Sequence, residues 1–114
     1  MNVTKHATKR IKTRLGVPKQ SSDRIAGQAL EYGIRHSDTT GALNRYITNL
    51  YFRHSTANNI RVFNSYVYIF QDEKLITVFQ LPQKFRKAAN RIADKKKKEV
   101  QDEKENQKHN RTNT

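Results

Sequence analysis

Residues 60–80, IRVFNSYVYIFQDEKLITVFQ, decide how the rest of the chain can be arranged. Read with a period of two, the stretch divides into three short β-strands at 60–63, 66–71 and 75–80. Asn64-Ser65 separates the first two runs and Asp72-Glu73 the second two, and both are short and polar enough for a tight hairpin turn. The expected product is an antiparallel meander of three strands, with room for a fourth.

A two-residue turn at Asn64-Ser65 pairs Phe63 with Tyr66, Val62 with Val67, Arg61 with Tyr68 and Ile60 with Ile69. An even loop at Asp72-Glu73 pairs Ile69 with Ile76, Tyr68 with Thr77 and Val67 with Val78, whereas an odd loop would turn the apolar set outward. One face then reads Ile60, Val62, Val67, Ile69, Ile76, Val78. All six are β-branched and apolar, so this is the expected buried face, favourable by roughly 10 kcal/mol in gross transfer terms at about 1.5–3 per side chain. The other face aligns Arg61, Tyr68 and Thr77 in a cross-strand row, flanked by Phe63, Tyr66, Phe70, Leu75 and Phe79. Neighbours in such a row stand about 5 Å apart. A guanidinium, a phenol and a hydroxyl among aromatic rings form a platform for an anionic, partly planar ligand such as nucleic acid.

A chain of 114 residues has room for one domain. The expectation is a basic α+β domain over 1–90, with N-terminal helices on one face of the meander, and a charged helical or disordered tail over 91–114. Without cysteine there is neither a disulfide framework nor a thiolate metal site, which suits a reducing cytoplasm. No long apolar run is present, so neither a membrane span nor a signal peptide is expected.

Charge is the strongest compositional signal. Residues 1–90 hold 15 Lys/Arg against 5 Asp/Glu, a net +10, and residues 91–114 hold 8 against 5, a net +3. The excess therefore belongs to the folded part. Such a field attracts polyanions and makes their binding salt-dependent, which together with the aromatic face points to nucleic acid. General solubility is the bland explanation of the same excess.

Before the meander the chain reads as three helices. Asn2 or Thr4 can cap a first one running to about Leu15, with Gly16 behind it and Ala7, Ile11, Leu15 as its buried stripe. His6, Arg10 and Arg14 form a second line of the same spacing at the border of core and solvent, and residues 1–19 hold six Lys/Arg and no acid. A histidine near a chain start is by default solvated, but His6 beside an apolar stripe and two arginines is also placed for general acid–base work. Ser21 or Ser22 can cap a second helix that ends at Gly33. In the polar loop 35–41, Asp38 can orient His36, although such loop pairs are mostly incidental. A third helix over 42–54 buries Leu43, Tyr46, Ile47 and Leu50 and shows Arg45, Asn49 and Arg53 outward. After Pro82, helix resumes from Lys84 with Phe85, Ala88, Ala89 and Ile92 as its stripe, and Lys95–Lys98 add phosphate affinity or are simply solvated.

No phosphate-binding glycine loop is present, the acids of residues 1–90 are scattered, and histidines 6, 36, 54 and 109 lack zinc spacing. No cofactor or metal is expected. The helix with His-Ala-x-x-Arg (His6, Ala7, Arg10), the second helix ending at Gly33, and the meander with its arginine strand and closing Leu-Ile-Thr-Val-Phe (Leu75 to Phe79) resemble small bacterial and phage proteins of the barnase–EndoU–RelE-like superfamily. Those are compact ribonucleases that need no metal, many of them toxins. The resemblance, over residues 4–82, implies that His6 and Thr77 match catalytic positions and that Arg61 binds phosphate. It favours RNA over DNA as the partner and implies cleavage by 2′-hydroxyl transphosphorylation, with His6 as base or acid, Arg61 and Arg10 as the phosphate clamp, Tyr68 as proton donor or hydrogen-bond partner, Thr77 orienting the phosphate and His36 in reserve. The helix at 42–54 exceeds the compact pattern and leaves the placement of His36 open. Arg10, Arg14, Phe63, Tyr66, Phe79 and Lys84 complete the expected nucleic-acid surface. The alternatives are a non-catalytic nucleic-acid-binding accessory protein of a phage or mobile element, and an inhibitor that binds an acidic host protein. A protein antitoxin is a further partner the resemblance allows.

Overall fold

Asn64 and Ser65 have φ of 49° and 68°, the left-handed pair that a two-residue hairpin with the twist of its strands requires. In a computed structural model of the protein, which describes residues 3–16, 18 and 21–112, this turn joins β1 (Asn59–Phe63) to β2 (Tyr66–Gln71) in the expected register, Ile60 opposite Ile69 and Arg61 opposite Tyr68. The turn at Asp72-Glu73 then leads into β3 (Lys74–Gln80), and the sheet order is β1-β2-β3. Asn58 straps this second turn, donating from its amide to Asp72 Oδ1 at 2.8 Å and accepting from the Asp72 N–H at 2.7 Å.

Around the sheet the order is α1 (Lys5–Leu15), α2 (Ser22–Tyr32), a 3-10 turn (His36–Asp38), α3 (Gly41–Arg53), the three strands, and α4 (Gln83–Thr112). The class is α+β, with N-terminal helices before the meander and a C-terminal helix after it. Thr4 caps α1 through its Oγ1, which accepts from the Ala7 N–H at 3.0 Å. Asn2, the alternative cap, lies outside the described residues, as do residues 113–114 of the tail. α2 ends at Gly33, where a Cβ would stand 2.3 Å from the Ala29 carbonyl oxygen and 2.9 Å from Arg61 Cβ. Only glycine lets the helix end lie this close to β1.

Two corrections to the expected sheet follow. First, Phe70 faces Leu75 as expected, but Ile76 is an extra residue on β3, so that Ile69 faces Thr77, Tyr68 faces Val78 and Val67 faces Phe79. The bulge is held by Thr4, whose Oγ1 donates to the Ile76 carbonyl at 3.3 Å. Second, both faces are covered. Ile60, Val62, Val67 and Ile69 pack with Leu43, Ile47 and Leu50 of α3 and Phe85 and Ala89 of α4. Tyr68, Phe70, Leu75 and Val78 pack with Ala7 and Ile11 of α1 and Ala26 and Ala29 of α2. The aromatic face expected to meet solvent is therefore the floor of a second core.

Both sheet edges are closed. Val3 bridges Leu75, and Arg14 Nη1 donates to the Val78 carbonyl at 2.8 Å, along the β3 edge. Ile34 bridges Val62, and the Tyr51 hydroxyl accepts from the Ile60 N–H at 2.8 Å, along the β1 edge.

Candidate nucleic-acid interface

The expected row of Arg61, Tyr68 and Thr77 does not form. The bulge at Ile76 turns Thr77 to the α3/α4 side beside Ile69, and Arg61 and Tyr68 lie on the α1/α2 side at 7% and 1% exposure. Arg61 donates through Nε to Asn59 Oδ1 at 2.8 Å and through Nη1 to the Gly33 carbonyl at 3.1 Å. Burial, and then the charge of Arg35, pull its pKa below the usual arginine value. It ties β1 to the end of α2. Burial, and then Tyr66, push the Tyr68 phenol up to about 12. Such a phenol keeps its proton throughout the neutral range.

The histidines are placed apart from this pair. His6 is exposed on α1, where its Nε2 accepts from Arg10 Nε at 3.2 Å. α1 packs along β3, whereas Arg61 stands on β1, two strands away and so roughly 10 Å across the sheet. His36 does not pair with Asp38. Its Nε2 lies 2.8 Å from Thr48 Oγ1, and that hydroxyl already donates to the Asn44 carbonyl, so the imidazole is the donor. Its ring leans on Tyr51 with centroids 5.5 Å apart. Asp38 instead accepts from the Arg35 N–H at 2.9 Å and from Lys96 Nζ at 2.8 Å. Burial works against its charged form, but those two hydrogen bonds and the charges of Lys96 and Arg35 hold the carboxyl below its usual value.

Two other expected residues, Phe63 and Tyr66, do converge, with Tyr68 beneath them. At the turn end of the β1–β2 hairpin, Phe63, Tyr66 and Tyr68 line a groove of about 210 Å³, closed on its other side by Leu15 of α1 and Ile25 and Gln28 of α2. The Phe63 and Tyr68 rings meet edge to face, centroids 6.5 Å apart. Phe63 and Tyr66 are half-buried, so their rings are both anchored and reachable. Tyr66 also borders a second hollow of about 360 Å³ with Arg14 and Gln80. The Tyr66 hydroxyl donates to the Arg14 carbonyl at 3.0 Å, and this bond fixes the ring against the end of α1. An aromatic slot and a guanidinium are thus shared by one residue. Gln28 and Asn64 can hydrogen-bond an occupant's edge; the sequence marks Asn64 only as a turn residue and Gln28 not at all, because the two come together only when α2 docks on the hairpin.

The remaining expected contacts scatter. Phe79 lies on the α3/α4 side, half-buried against that core, and Lys84 Nζ sits 5.1 Å from the centroid of Phe85 at the start of α4. Among the described residues, no three His, Asp or Glu side chains gather to hold a metal, and no helix is long and apolar enough to cross a membrane. Comparison with protein-family models, curated proteins and solved structures returns no match for the chain.

Proposed function

We propose that this protein binds single-stranded RNA, seating an unpaired base on the half-buried rings of Phe63 and Tyr66, above the buried Tyr68, and a neighbouring phosphate at Arg14. The observation that carries the reading is the junction at Tyr66 of an open aromatic groove with a cationic hollow. Stacking of a base on aromatic rings is tolerant of sequence and worth about 1–3 kcal/mol per base, and unpaired bases are what RNA loops and single strands present. The net charge of +13 supports a polyanionic partner.

Cleavage is not part of the proposal. The cation, phenol and hydroxyl expected to act together are divided between the two sides of the sheet, and Tyr68 is buried at 1% exposure. The test is fluorescence anisotropy with one labelled oligonucleotide, single-stranded or annealed to its complement, at fixed salt in EDTA. At least tenfold preference for the single strand, with the RNA recovered intact, is expected. Equal affinity for both forms would overturn the base-stacking reading, and 2′,3′-cyclic phosphate ends would reinstate the ribonuclease reading suggested by the resemblance.

A further inference from the structure

α4 carries a line of cations that the groove does not use. Lys84, Lys87, Arg91, Lys95 and Lys98 are all exposed and follow one another at spacings of three, four, four and three, so they share one face of the helix. At 1.5 Å per residue the line runs for about 21 Å. The opposite face is the one that packs, with Phe85 and Ala89 buried and Ile92 and Ala93 half-buried. Across residues 83–98 the single acid is Asp94; after Lys98 the sequence turns acidic at Glu99, Asp102, Glu103 and Glu105. The cationic segment therefore has a definite length.

Its start is anchored beside the groove. Gln80, the last residue of β3, faces Tyr66 across the sheet and lines the same hollow as Arg14. The Leu81 N–H donates to the Ser65 carbonyl at 2.9 Å, and α4 begins two residues later at Gln83. Lys84 thus stands at the hairpin end of the molecule, and the line leads away from it. We infer that this face of α4 is a phosphodiester track, which takes the backbone of the RNA strand flanking the base held in the groove. The inference rests on the reading that the partner is RNA and adds a second contact site to it. A membrane surface fits less well, because an interfacial helix needs a free apolar face and that of α4 is spent on the sheet.

The track is tested by the salt dependence of binding, measured on the full chain with a single-stranded RNA of roughly a dozen nucleotides. Each cation that neutralises a phosphate contributes about 0.7 to the slope of log K against log salt for a single strand. The triple variant Lys87→Gln, Arg91→Gln, Lys95→Gln should therefore lower the slope by about 2, while its exposed positions leave the fold intact by circular dichroism. The groove variant Tyr66→Ala should weaken binding at every salt concentration and leave the slope unchanged. A triple variant with the wild-type slope overturns the track while leaving the groove in place. Loss of binding to phosphatidylserine vesicles with RNA binding unaltered assigns the face to lipid and overturns it too. A wild-type chain that binds no RNA removes the track together with the groove reading.

Discussion

Arg61 Nη1 donates to the Gly33 carbonyl oxygen at 3.1 Å, and through that bond the first sheet strand holds the end of α2. Lys96 Nζ approaches the same carbonyl from α4 at 3.4 Å, so one backbone oxygen links elements from both sides of the sheet. Arg61 is 7% exposed, and two of its three guanidinium nitrogens are committed to Asn59 and Gly33.

Arg61 should behave as a structural residue. Arg61→Ala removes two hydrogen bonds of a charged donor and should cost about 2–3 kcal/mol in urea denaturation. Arg61→Lys should recover little, because one ammonium cannot reproduce the fork that reaches Asn59 and Gly33 together. RNA affinity of the folded Arg61→Lys protein should be unchanged; a loss of tenfold or more would return this residue to the binding surface.

Thr4 joins the cap of α1 to the bulge of β3, accepting from Ala7 and donating to Ile76. Thr4→Ala should destabilise by about 1–2 kcal/mol in the same assay and Thr4→Ser should restore most of it. A neutral Thr4→Ala change would mean that the bulge is held by other groups.

The buried phenol of Tyr68 gives a prediction at high pH. Its folded-state pKa of about 12 exceeds the ordinary 10, so the unfolded chain ionises first and stability falls as pH rises from 10 to 12. Two pKa units correspond to about 2.7 kcal/mol. Tyr68→Phe should shift the alkaline unfolding midpoint upward and remove the last tyrosine ionisation step in the ultraviolet titration. The two proteins unfolding at the same alkaline pH would contradict this.

Asp38 gives the opposite sign at low pH. Its lowered pKa makes the pair with Lys96 stabilising above the ordinary carboxyl value of 3.8, and this contribution is lost as pH falls through the folded value. Both partners are about a third exposed, so solvent screening limits the effect to about 1 kcal/mol or less. Asp38→Asn should therefore be slightly less stable than wild type at neutral pH and equal to it in acid. A gap that persists in acid would point to the lost Arg35 N–H bond alone.

Much of the fold was legible because its signals are local. The polar pairs Asn64-Ser65 and Asp72-Glu73 placed both turns, and Gly33 marked the end of α2 where no Cβ fits. The covering of both sheet faces departs from the one-sided packing expected, although the sequence carries a signal for it. Tyr66 to Phe70 is apolar at each position, as expected of a strand covered on both faces, and four amphipathic helices are too many for one face of three strands. The bulge at Ile76 was not legible: Leu75, Ile76, Val78 and Phe79 are all apolar, so alternation there cannot distinguish the two registers. Phe63, Tyr66 and Arg14 were readable as a surface one by one. Their convergence needed the docking of α1 and α2.

The central claim is that an RNA base rests on Phe63 and Tyr66, and photochemical crosslinking reads that contact directly. An oligonucleotide carrying a single iodouracil, irradiated in complex with the protein and mapped by mass spectrometry, should attach to Phe63 or Tyr66, with Tyr66→Ala abolishing or redirecting the product. Crosslinks found instead at Phe52, the 80% exposed ring on α3, with none in the hairpin, would contradict the account.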